Sequence, residues 1–81
     1  MSGEVTVEYL FADRDRRGDF IAAATAWWPG RVFARALLKR AGAPRAWLFV
    51  ARVDLAVELR AAVDDAARIC GGTARPPEEA L

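Results

Sequence analysis

The chain has 81 residues, 54% of them hydrophobic and 28% charged, with a formal net charge of +1. That balance fits one small globular domain and excludes a disordered or membrane-spanning chain. It holds no histidine, asparagine or glutamine, one serine (Ser2) and one cysteine (Cys70), which excludes Ser-His and Cys-His nucleophile pairs, an internal disulfide and zinc sites built on Cys and His.

Carboxylate chemistry through Asp13, Asp15, Asp19, Asp54, Asp64 or Asp65 is what remains. A turn, a helix cap or a wet helix face explains each of these, so no enzyme, metal site or cofactor is expected. No apolar stretch approaches the roughly 18 residues of a membrane span, and the N-terminus lacks a basic patch followed by an apolar run. A soluble, cytoplasmic protein without a membrane partner is expected, and a lone cysteine suits a reducing compartment.

Charge is segregated. Residues 1–19 carry five acids against three arginines and residues 54–81 carry six against three, whereas residues 20–53 hold Arg31, Arg35, Lys39, Arg40, Arg45 and Arg52 with no acid. A nearly neutral protein therefore has a basic middle, and that middle, more than the average, governs its partners. The abundance of Ala and Arg also matches GC-rich bacterial or phage coding, so the placement of arginine carries more weight than its number.

The alternation in "EVTVEYLFA" puts Val5, Val7, Tyr9 and Phe11 on one face and predicts a strand. "DRDRRGD" has the composition of a solvated loop. "DFIAAATAW" predicts a helix capped by Asp19 and ended by Pro29. Residues 31–42 read as a second helix closed by Gly42 and Pro44, and a β reading of residues 31–38 is the rival because Val32, Ala34, Ala36 and Leu38 also alternate. "AWLFVARV" predicts a buried strand. Asp54 then caps a last helix, with Leu55, Leu59, Ala62, Ala66 and Ile69 on its apolar face, Asp64 and Arg68 paired on its wet face, and Gly71 and Gly72 as its C-cap.

The expected fold is a small α/β (α+β) domain of order β-α-α-β-α over residues 1–70, followed by a flexible tail at 71–81. Its two strands suggest a parallel β-α-β crossover. So short a sheet calls for completion, by a homodimer, by a strand misread as helix, or by an edge offered to another protein.

Trp27 and Trp28 are adjacent, so one core face does not bury both. Either Trp27 closes the core while Trp28 covers the turn, or an exposed indole anchors an interface. On the helical reading Arg31, Arg35 and Lys39 form one basic stripe, with Arg40 and Arg45 nearby. The expected binding residues are accordingly Trp27, Trp28, Arg31, Arg35, Lys39, Arg40 and Arg45. They suit an inhibitor or adaptor that docks on an acidic protein or nucleoprotein complex, since arginine pairs bidentately with carboxylates and phosphates. The alternative is nucleic-acid binding through a helix-turn-helix with Arg31 and Arg35 near the start of the recognition helix, although no Asn or Gln is present to read adenine.

In size and in its lack of catalytic groups the chain resembles the small phage-encoded inhibitors of bacterial defence known as anti-CRISPR proteins. The resemblance rests on no motif and transfers no residue. It implies steric blocking of target DNA access or nuclease recruitment at a CRISPR effector in the host cytoplasm.

Overall fold

The computed structural model describes residues 3–40 and 47–75. The alternating segment forms β1 (Glu4–Phe11) and buries Val7, Tyr9 and Phe11. Helix α1 (Arg14–Trp27) starts earlier than the alanine run predicts. Asp13, extended at φ −150°, accepts the Arg16 N–H at 2.8 Å, so it is the N-cap and the "RDRRGD" segment is helical, leaving Asp19 inside the helix. Trp28 leaves the helical region before Pro29, and Gly30 (φ +76°) turns the chain.

Residues 31–38 are not a helix. They lie in β2 (Val32–Arg40), which pairs residue for residue with β3 (Trp47–Ala56) from Val32↔Leu55 to Arg40↔Trp47. The helix-favouring Ala, Arg and Leu of β2 are overridden by this cross-strand pairing. Because residues 31–40 are not helical, the helix-turn-helix is not formed.

A single 3-10 turn, Val57–Leu59, leads into α2 (Arg60–Ile69), and β4 (Thr73–Arg75) follows. The α2 N-terminus has no side-chain cap. Asp54 sits instead in β3 and accepts the Thr6 hydroxyl at 2.6 Å. Since α2 begins later than expected, its buried stripe is Val63, Ala66 and Ala67, with Leu59 packed at its start, whereas Ile69 is 80% exposed. Arg68 pairs with Asp65, and Asp64 with Arg60, rather than with each other.

The sheet has four strands in the order β2-β3-β1-β4, every neighbouring pair antiparallel. The small α+β class therefore holds, but the two-stranded sheet and the parallel pairing of its strands do not. Strands β1 and β2 run the same way with β3 inserted between them, which is the split β-α-β, ferredoxin-like arrangement. With four strands in one chain, the deficit that argued for a dimer disappears. The fold also extends past residue 70, because β4 pairs with β1 through Glu8↔Arg75 and Leu10↔Thr73; residues 76–81 of the expected tail lie outside the described residues.

Both helices cover one side of the sheet. Phe20 of α1 packs its ring 5.1 Å from Tyr9 and 5.4 Å from Phe11. With Ala24, Val32, Ala51, Val53, Leu55 and the α2 stripe, these residues make the core. Gly71 (φ +82°) ends α2 as the sequence predicts: its N–H reaches the Arg68 carbonyl at 2.9 Å and that of Gly72 reaches Ala67 at 2.7 Å, a Schellman pair.

The two glycines at positions 72 and 18 should respond oppositely to alanine. At Gly72 a Cβ would lie 2.5 Å from Cε1 of the buried Phe11 ring and 3.1 Å from the Ala67 carbonyl oxygen, so Gly72→Ala should destabilise by about 1–3 kcal/mol. Gly18 lies within α1 and faces open space, so Gly18→Ala should stabilise by about 0.5–1 kcal/mol. Urea midpoints moving in opposite directions check both.

Candidate binding surface

Cross-strand register places directly opposed residues on the same face, so the side of the sheet away from the helices can be read as rows. From β2 through β3 and β1 to β4, one row is Arg35, Arg52, Glu8 and Arg75. The next is Leu37, Val50, Leu10 and Thr73, and on the other side of the arginines come Phe33, Asp54 and Thr6.

Glu8 is 1% exposed. Its two oxygens accept Lys39 Nζ at 2.9 and 2.7 Å, and Arg75 Nε stands 3.9 Å away. Lys39 and Glu8 are on strands separated by β3, so their bridge crosses β3 between the rows of Leu48 and Arg52. Val50, which lies between those rows, is fully buried although it is no part of the helix-side core.

With Glu8 bridged by Lys39 and Arg75, and Asp54 hydrogen-bonded to Thr6, Arg35 and Arg52 have no carboxylate. They are exposed and directly opposite one another, and neither makes an ion pair or hydrogen bond among the described residues. Like charges directly opposed across a strand pair are destabilising, so this juxtaposition is a cost that an anion would relieve. Phe33, two residues along the same face of β2, is 61% exposed.

The expected binding residues are distributed as follows. Arg35 and Lys39 share the uncovered face, because a spacing of four is also a multiple of the strand period of two, whereas Arg31 lies in the turn before β2. Arg31 pairs with Glu58 at 3.0 Å, Lys39 is engaged by Glu8, and Arg35 is the member left without an acid. Arg40 has the opposite parity and falls on the helix side of the sheet; Arg45 lies outside the described residues. The tryptophans reverse the core-closing expectation: Trp28 packs against the core and Trp27 is 62% exposed, their rings 5.7 Å apart and edge-on at 75°. Arg52 and Arg75 were not among the expected site residues. A hairpin centred on the Gly-Ala-Pro segment would have signalled Arg52, but nothing in the local pattern of the C-terminal segment signals Arg75.

Two titratable groups stand apart from this face. Tyr9 donates its hydroxyl to Asp64, which also takes Arg60 Nε at 3.3 Å. Burial first, then the bond to Asp64 and its charge, push the phenol above its ordinary range. Burial, followed by the Asp19 carboxylate, also raises the Cys70 thiol, which lowers its thiolate fraction at neutral pH. Among the described residues no three His, Cys, Asp or Glu side chains gather as metal ligands, and no helix is long and apolar enough to cross a membrane. No protein-family model matches the chain, and no curated protein or solved structure does.

Tyr9 is the one tyrosine, and its pKa is higher folded than unfolded. Its contribution to stability is therefore complete below the unfolded value of about 10 and is lost as pH rises toward the folded value. Unfolding free energy should fall more steeply with pH above about 10 in the wild type than in Tyr9→Phe, as equilibrium denaturation across that range will record.

Proposed function

We propose that this protein is a non-enzymatic inhibitor or adaptor that docks on an anionic protein or nucleoprotein partner through the uncovered face of its sheet. The observation that carries this reading is the Arg35–Arg52 pair, two exposed arginines directly opposed on one face and paired with no carboxylate among the described residues. Planar guanidinium forks suit carboxylates and phosphates, and Phe33 adds exposed aromatic surface on the same face. A chain lacking histidine and carrying a protonated thiol supplies little for catalysis. The setting we propose is the bacterial cytoplasm, and blocking of a CRISPR effector is the particular form that the chain's size and missing catalytic groups suggest.

Direct nucleic-acid binding is the second reading, and with residues 31–40 in a strand it must use the sheet. The same arginine pair favours it. Stacking of bases needs aromatic platforms, and on the uncovered face of the described strands Phe33 alone supplies one.

The test is the double variant Arg35→Glu/Arg52→Glu, with Arg31→Glu as the contrast because Arg31 already has Glu58. The double variant should keep the wild-type far-ultraviolet circular dichroism. It should lose about 2 kcal/mol of affinity, roughly thirtyfold, for the partner recovered from nuclease-treated bacterial lysate, while Arg31→Glu changes little. Equal recovery by a folded double variant would remove this face from the docking surface.

A further inference from the structure

Strand β2 is an edge strand of nine residues, paired among the described residues only on its β3 side. The opposite edge, β4, has three. A long edge normally carries a proline, a bulge or a covering element against stray pairing. Here the register with β3 runs unbroken. Arg17 lies against the second half of β2 from the helix side, its guanidinium donating to the Leu37 carbonyl at 2.9 Å and standing 5.5 Å from the Phe49 ring centre.

In the first half the Val32 N–H is already taken by the Trp28 carbonyl at 3.2 Å, and no other described residue bonds the backbone there from outside β3. A groove of about 490 Å³ lies beside this half, lined by Thr25 of α1, by Pro29 and Gly30 of the turn that follows, by residues 32–35 of β2 and by Asp54 of β3, whose carboxylate is held by Thr6. A strand laid against this half would turn alternate side chains into that groove and the others onto the uncovered face beside Arg35.

Charge selects the occupant. Every charged residue of β2 is a cation, so a second copy pairing edge to edge would set cation against cation. A residue of an added strand directly opposite Arg35 would lie about 4.5–5.5 Å from it, Cβ to Cβ. A carboxylate there would meet Arg35 with Arg52 behind it.

We propose that the first half of β2 accepts an extended acidic segment of a partner protein as a fifth strand, its apolar residues entering the α1–β2 groove and its alternate carboxylates meeting Arg35. This rests on the reading of the uncovered face as an anion-docking surface and adds to it the backbone of β2 and the pattern of the segment.

Isotope-labelled full-length protein is titrated with a short peptide alternating Glu and Val, with the same peptide N-methylated at alternate backbone amides, and with a single-stranded oligonucleotide. The expected result is binding of the first peptide with new hydrogen-exchange protection in the first half of β2, and loss of that binding on N-methylation, because the edge bonds are removed while charge is kept. Equal binding of the N-methylated peptide overturns strand addition and leaves the anion-docking reading standing. Binding of the oligonucleotide alone overturns the choice of a protein segment. Binding of none of the three overturns both the added strand and the docking reading beneath it.

Discussion

Glu8 sets a carboxylate on the uncovered side of β1 with its side chain 2% exposed, accepts Lys39 through both oxygens and has Arg75 3.9 Å away. Lys39 comes from β2, which β1 does not touch, and Arg75 comes from β4 on the other side. One buried group thus links three strands across the fourth. Removing one partner of such a buried pair costs about 3–5 kcal/mol, whereas a well-packed apolar replacement of the whole pair is often neutral. The arrangement is therefore better understood as fixing register than as adding stability. A slip of β1 by one residue would carry Glu8 to the helix side and Tyr9 away from Phe20 and Asp64.

The same carboxylate determines where charge is left over. Arg52 is the β3 residue directly opposite Glu8, yet Glu8 is taken by cations reaching in from the strands on either side. Arg52 is left facing Arg35. The basic character of the middle of the chain, diffuse along the sequence, is thereby concentrated at one pair, since Arg31 is neutralised by Glu58 and Lys39 by Glu8. Local charge, rather than the net +1, is what a partner meets.

The parts of this fold legible in the sequence are those decided locally. Val5, Val7, Tyr9 and Phe11 alternate and form a strand, Pro29 ends a helix, and Gly71 and Gly72 close another. The sequence is ambiguous where two local codes coincide. Gly42 and Pro44 suit a helix exit and a hairpin equally, and Arg35 and Lys39 align on a helix face and on a strand face alike. What separates the two is pairing with residues 47–55, and cross-strand partners are not a local property of the chain. The charged composition of "DRDRRGD" reads as a loop and leaves Asp19 as the cap, but the helix begins earlier because Asp13 accepts the Arg16 N–H. Arg35 and Arg52 both lie in the acid-free run of the sequence, but that they oppose one another, with Arg75 in the same row, follows only from the register.

With both helices on one side, the other side of the sheet is covered, among the described residues, by its own side chains. That side is not uniformly polar: Leu37, Val50 and Leu10 form an apolar row across its middle, and Leu48 lies beyond Val50 on β3. Long charged side chains can lie over apolar surface while their heads stay near water. The Lys39–Glu8 bridge crosses this row, and Val50 is wholly buried and Leu10, Leu37 and Leu48 half-buried. Phe33, 61% exposed, is the large apolar side chain this face leaves open among the described residues. What the face lacks is negative charge opposite Arg35 and Arg52, both exposed and within reach of dissolved ions. An interface built on that deficit gains specificity and association rate from electrostatic complementarity more than from buried area, and it is screened by salt to a degree that an apolar interface is not.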